Sequence, residues 1–210
     1  MTSTPPAPST PPGPPPANKP GRPAVLSHDA IVGAAVALID AEGLEALTMR
    51  RLGAELDVRA MSLYRHLPNR DAVLAAVVNR LAASTEVEVD PGAQWPEALH
   101  RLAHAYRRTL LAHPHAVVLL ATYPVDAEVG QAMVAEVLAR FDAAGITVEQ
   151  ALTAVQSVGV FVLGHALAQV GTPPGAEQGG PVASAGFYEE WFAAGLDAMV
   201  LGFRQRLGSR

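Results

Sequence analysis

The sequence contains no cysteine. That absence excludes disulfides, a thiol nucleophile, iron–sulfur clusters and cysteine-ligated zinc, and it suits a reducing cytoplasm. There is no Gly-rich phosphate loop, no nucleophile elbow, no His-Glu-x-x-His pair and no pair of carboxylates on an apolar face, so nothing marks an enzyme. The N-terminus lacks the apolar stretch of a signal peptide. The most apolar run, 155–170, falls short of the roughly 20 residues that cross a bilayer, and Gln156, His165 and Gln169 interrupt it. A soluble, cytoplasmic protein without a membrane partner is expected. No segment alternates with a two-residue period between turn signals, which argues against strands.

What is present is helical. Half of the 210 residues are hydrophobic and 17% are charged, enough for one small module and one larger helical domain. The net charge of −5 is unevenly spread: residues 1–70 carry seven Lys/Arg and six Asp/Glu, or +1, and residues 71–210 carry eight and fourteen, or −6. Five of the early basic residues, Arg50, Arg51, Arg59, Arg65 and Arg70, lie within one short stretch. Local charge of this kind neutralises phosphate, while the acidic remainder repels it.

Residues 1–23 hold ten of the eighteen prolines and end in Lys19-Pro20-Gly21-Arg22-Pro23. A disordered tail over 1–25 is expected, either simply solvated or acting as a basic arm for a minor groove. Ser27 caps a helix that Gly43 stops. Thr48 caps a short helix with Leu52 and Leu56 facing inward, and a third helix follows at 59–66. Asn69 opens a longer one with Val73, Leu74, Val77, Val78 and Leu81 on one face. Pro91-Gly92 marks a boundary within 87–94. Further helices are expected at 95–112, 114–121, 126–144 (capped by Asp126), 148–170 (opened by a Thr147/Gln150 capping box) and 185–207, with a Gly/Pro-rich loop at 171–181. The fold class is therefore all-α: a three-helix helix-turn-helix domain over 26–70, a connecting helix over 71–86, and a helical effector-binding and dimerisation domain over 95–210.

Between Thr48 and Leu67 the spacing is that of a helix-turn-helix. Gly53 and Ala54 let two helices cross closely, and Asp57 sits at a turn that needs a left-handed backbone. The second helix would then face a major groove. The text DAIVGAAVALIDAEGLEALTMRRLGAELDVRAMSLYRHLPNRDAVLAAV, with its helix–Gly–"LT" opening, "SLYRH" and "NRDAVL", resembles the DNA-binding domain of the TetR (tetracycline-repressor-like) family. Asp57, where that family usually has Gly, is the one departure. The resemblance implies that Thr48 and Met49 meet the DNA backbone. It implies that Arg50 reaches a base, and that Arg59, Ala60, Met61 and Ser62 front the recognition helix. Tyr64, His66 and Arg70 would contact phosphates, Tyr64 and His66 having packing on the fourth helix as their alternative. Arg51 and Arg65 are read as solvated charges.

The C-terminal half is also similar to the tetracycline-repressor type, through WPEALHRLAHAYRRTLLAHPHAVVLLATYP, ITVEQALTAVQSVGVFVLGHALAQ and FAAGLDAMVLGFRQRL. Val155, Val158, Val162, Ala166, Leu196, Met199, Val200 and Phe203 are more apolar surface than one protomer normally hides, and a four-helix bundle between two copies would bury them. Gly159, Gly164, Ala193, Ala194 and Gly195 permit close helix approach. Within the resemblance, Leu119 and Ala168 stand where those repressors hold a drug-bound magnesium ion, so no metal and no cofactor are expected. The effector pocket is expected from Leu102, Tyr106, Leu119, Thr122, Tyr123, His165 and Gln169, an apolar wall suited to a hydrophobic, aromatic or polyketide-like molecule. His100, His104, His113 and His115 have no carboxylate at ligand spacing and are not read as a metal site. The implied function is a regulator, a dimer that reads a near-palindromic double-stranded operator and is released by the effector. The alternative is a helical small-molecule-binding protein without specific DNA binding.

Overall fold

A computed structural model describes residues 26–171 and 184–208 of the chain. The expectations for the 1–25 tail, and for the 171–181 loop beyond Gly171, lie outside the described residues. All regular elements among those described are helical: α1 His28–Glu42, α2 Met49–Glu55, α3 Ala60–Leu63, α4 Arg70–Ala83, α5 Trp95–Ala112, α6 Val117–Thr122, α7 Ala127–Ala143, α8 Val148–Val170 and α9 Ala185–Gly208. Short 3-10 turns at Leu44–Ala46 and Pro114–Ala116 precede α2 and α6.

Four side-chain caps start helices where the sequence placed them. Ser27, Thr48, Asn69 and Thr147 each accept a bond from the backbone amide three residues on, satisfying one orphan donor apiece. Asp126 departs from expectation. It stands at the start of α7, but its carboxylate makes no bond to that helix and turns to α4 instead. The expected helix at 59–66 is α-helical only over Ala60–Leu63. Pro68 disfavours a helical residue before it, and the chain closes through amides of His66 and Leu67 that both donate to the Leu63 carbonyl.

The α2–α3 crossing is tight for an identifiable reason. A Cβ on Gly53 would lie 2.9 Å from the Val58 carbonyl oxygen and 3.2 Å from the Ala60 nitrogen. The Val58 amide donates to the Gly53 carbonyl at 2.9 Å, and Asp57 makes the turn at φ +53°. Arg70, at the first position of α4, donates Nε to the Leu47 carbonyl (2.7 Å) and Nη2 to the Leu44 carbonyl (3.0 Å). Arg51 spans Glu42 of α1 (2.5 Å) and Glu55 of α2 (2.8 Å). Arg80 of α4 pairs with Asp29 of α1. Three arginines thus lace the small domain around its buried Ile31, Ile39, Leu52, Leu63 and Leu74.

In the larger domain α5 is the hub, packed on α7, α8 and α9. Helix α8, at 23 residues, is long and apolar enough to cross a membrane by length and composition, longer than the run read from the sequence. It is nevertheless packed on α5, α6, α7 and α9 within this fold. The dimer expectation needs correction in its residues. Val155, Val158, Val162 and Ala166 share one helical face, and they are buried with Leu196 and Val200 inside the protomer. The opposite face of α8 is the exposed one and carries Val160, 70% accessible. Gly195 admits Phe161, whose ring atoms would meet a Cβ at 2.6 Å, whereas Gly159 and Gly164 face open space.

Gly53→Ala is expected to destabilise the protein by about 1–3 kcal/mol, since backbone atoms cannot yield to the methyl group. Asp57→Gly should leave stability equal or higher, because it removes the left-handed strain. Urea unfolding of both variants checks this; an unchanged midpoint for Gly53→Ala contradicts the crossing geometry.

Candidate nucleic-acid interface and ligand cavity

Nine of the ten residues expected at DNA come together on the α2–α3 end. Arg50, Arg59, Tyr64 and His66 are exposed, Met61 is 73% accessible, and Met49, Ala60 and Ser62 are half-buried beside them. Tyr64 and His66 are both exposed, Tyr64 at 42%. Thr48 serves as cap to α2, its hydroxyl accepting from the Arg51 amide at 3.1 Å. Arg70 is the exception. Its guanidinium is spent on the two carbonyls of the 3-10 turn, so its contribution here is to position α2 against α4. Arg51, read as a free charge, is held by two carboxylates, which leaves Arg50, Arg59 and Arg65 as the outward cations of this surface.

The cavity lies among α5, α6, α7 and α8 with a volume of about 500 Å³. Leu102, Tyr106 and Tyr123 line it as expected. Leu119, Thr122, His165 and Gln169 do not. Leu119 is buried in the core and has no ligating atom to offer a metal. The Thr122 hydroxyl donates back to the Val118 carbonyl at 2.9 Å. Gln169 accepts from Arg107 Nη2 at 3.0 Å. His165 is 3% accessible, wedged among Phe161, Tyr188, Trp191 and Phe192, and neither ring nitrogen has a hydrogen-bond partner among the described residues. The helical period separates these sites: Tyr106 and Arg107 are neighbours in sequence and point to different layers. Arg107, 6% accessible, pairs with Glu189 at 2.8 Å and lies over the Phe192 ring.

What sequence reasoning missed is the second role of the rim, through Asp126, Tyr123 and their partners on α4. The 123–127 segment lines the cavity and also grips α4. The Tyr123 hydroxyl donates to Asp71 Oδ1 at 3.0 Å. Asn79 Nδ2 donates to Asp126 Oδ2 at 2.6 Å, and the Asp126 amide donates to Asn79 Oδ1 at 2.9 Å. The bond to Asp71 is also the chief cause raising the Tyr123 phenol above its ordinary value. No local pattern announces these pairs, which are about fifty residues apart in sequence. The histidines likewise acquire partners that spacing concealed. His113 Nδ1 lies 2.9 Å from Asp40 Oδ2, His115 Nδ1 donates to the Ile39 and Asp40 carbonyls, and His100 lies 3.6 Å from Asp197. The turn after α5 therefore seats the end of α1. Among the described residues no three or more His, Asp or Glu group as a metal site would.

Burial, followed by the Arg107 charge, holds the His165 imidazole below its ordinary value, and burial does the same for His104. Their charged forms are therefore favoured in the unfolded chain. Stability should be level above pH about 6.5, the unfolded histidine value, and fall as pH drops below it. His165→Leu should flatten that fall in urea titrations between pH 8 and 5. Parallel losses in the variant and the original protein would contradict the assignment.

Two family models match the chain. That for bacterial regulatory proteins of the tetR family covers residues 31–77, and that for the tetracyclin repressor-like C-terminal domain covers 89–185. The chain is 33% identical over 145 residues to an HTH-type transcriptional regulator of Saccharopolyspora erythraea, covering 69% of this chain and 61% of that protein. It is 29% identical over 200 residues to the class E tetracycline repressor protein of Escherichia coli, covering 88% and 94%. The TetR family protein ActR of Streptomyces coelicolor, solved in complex with actinorhodin, superimposes with a TM-score of 0.74 at 27% identity, covering 89% of this chain and 99% of that one.

Proposed function

The chain belongs to the TetR family of transcriptional regulators, and we propose that it is a cytoplasmic, dimeric repressor that leaves a near-palindromic operator when a hydrophobic effector enters the cavity. It is not an enzyme in this reading. The observation that carries the proposal is the double use of the 123–127 segment. One side of it lines the cavity, and the other holds α4 through Asn79 and Asp71. A ligand that displaces the segment therefore displaces α4, whose first residue, Arg70, is bonded to the turn in front of α2. The recognition helix α3 moves with them, and in a dimer the spacing of two such helices changes.

The size of the effect is reasonable. About 3 kcal/mol of differential affinity weakens operator binding roughly 150-fold. A few hydrogen bonds, each contributing about 1 kcal/mol net, are of the same order. ActR in complex with actinorhodin illustrates a bound ligand on a similar scaffold, which supports an effector in this cavity.

The apolar stripe left exposed on α8 and α9, including Val160, Trp191 and Leu201, supports a second copy as the partner that covers it. Val160→Asp should give a folded monomer by light scattering and circular dichroism, because the charge is buried only in the dimer. Val162→Asp should instead unfold the protomer, since that position lies in its core. A dimeric Val160→Asp protein would contradict this interface.

The regulatory reading is tested on DNA selected by the protein from a random duplex pool. Arg50→Ala should cost about 1–3 kcal/mol on the selected site and relax one base preference, whereas Arg51→Ala should leave base preference unchanged. Compounds are then screened for release of that DNA. Asn79→Ala should still bind a releasing compound, by calorimetry, and should lose most of the release. Undiminished release from Asn79→Ala would overturn the proposed coupling.

A further inference from the structure

We infer that the cavity selects lipophilic cations: a polycyclic, apolar body inside and a protonated amine at the Asp126 rim. This rests on the reading of the cavity as the effector site and adds the charge class of the effector.

The lining divides cleanly by chemistry. Leu102, Leu120, Val134, Leu138, Val155 and Leu163 supply apolar wall, and the hydroxyls of Tyr106 and Tyr123 and the amides of Gln131 and Gln156 supply neutral hydrogen-bonding groups. The one charged residue in the lining is Asp126. Asn79 engages one of its oxygens, and Asp126 joins no ion pair among the described residues. A second cleft of about 370 Å³ adjoins across Met133, which lines both, and it brings two more carboxylates, Glu128 and Glu136, and no base.

The bias extends well beyond the lining. Between Arg108 and Arg204 the sequence holds one lysine or arginine, Arg140, against nine carboxylates. Arg140 lies 4.0 Å from Glu136. Arg107, next to Tyr106 in sequence, is committed to Glu189 and Gln169. The same stretch includes the whole of α8 and most of α9, so a second copy seated on these helices brings no lysine or arginine from it to the cavity mouth either. A carboxylate ligand would lose hydration with no positive group in the lining to replace it. An ammonium keeps solvent contact at the rim, gains Asp126, and is drawn in by the surrounding negative field. A neutral ligand gains only the apolar contact.

Three probes sharing one ring system separate charge from shape: 1-pyrenemethylammonium, 1-pyrenemethanol and 1-pyrenecarboxylate, titrated into the full-length protein by pyrene fluorescence. The ammonium is expected to bind at least tenfold more tightly than the carboxylate, with the alcohol between them. Asp126→Asn should bring the ammonium to within about threefold of the alcohol while the alcohol is unchanged, which reports an intact cavity. Glu128→Gln should give a smaller step in the same direction. Equal affinities for the three probes, or the carboxylate binding tightest, would overturn the cation preference and leave the cavity reading standing. If none of the three binds, the cavity reading fails and the preference falls with it.

Discussion

Asn79 holds residue 126 by two hydrogen bonds, one to its carboxylate and one from its amide. Both atoms of the asparagine amide are used, so the bond pair fixes orientation as well as distance. This reciprocal contact is what joins a helix of the DNA-reading module to the wall of a cavity. Remove it, and α4 keeps its apolar face but loses a directional tie to the segment that a ligand would touch. The Tyr123–Asp71 bond, two turns nearer the N-terminus of α4, is the second tie, so the helix is gripped at two points along its length rather than hinged on one.

For such a grip to matter, the small domain must move as a body. Its rigidity comes from charged side chains used as braces. Arg70 joins α4 to the turn ahead of α2, Arg51 joins α1 to α2, and Arg80 joins α4 to α1. The close α2–α3 crossing at Gly53 adds a steric constraint. Exposed ion pairs contribute little to stability one at a time, but their geometric effect is to leave α3 few ways to shift independently of α4. On the other side, His113 and His115 seat the end of α1 on the turn between α5 and α6.

The helices and their starts were legible in the sequence because capping is local. Ser27, Thr48, Asn69 and Thr147 act within three residues of themselves, and the apolar period of α4 needs no partner to be read. The surface proposed for DNA could be grouped from the sequence for the same reason, residues Thr48 to His66 being nearly contiguous. The structural role of Arg70 was not legible, because its side chain reaches two carbonyls more than twenty residues away and no spacing rule reveals that. The cavity was half legible. Leu102, Tyr106 and Tyr123 were found, but Thr122 back-bonds within α6, Gln169 serves Arg107, and His165 is enclosed by rings, all through contacts made by distant helices. The face proposed for the dimer shows the same limit. Helix α8 is apolar around most of its circumference, so composition identifies the helix but cannot say that Val162 faces inward and Val160 outward.

The absence of cysteine makes the central claim directly measurable. A single cysteine placed at the exposed Arg65 position and spin-labelled gives one label per recognition region, and electron–electron double resonance reports the distance between the two regions of a dimer. Saturation with the pyrene ammonium probe is expected to shift that distance by several ångströms, and the same saturation in the Asn79→Ala background is expected to leave it unmoved. A distance that stays constant with the probe demonstrably bound would contradict the account that the cavity rim drives α4.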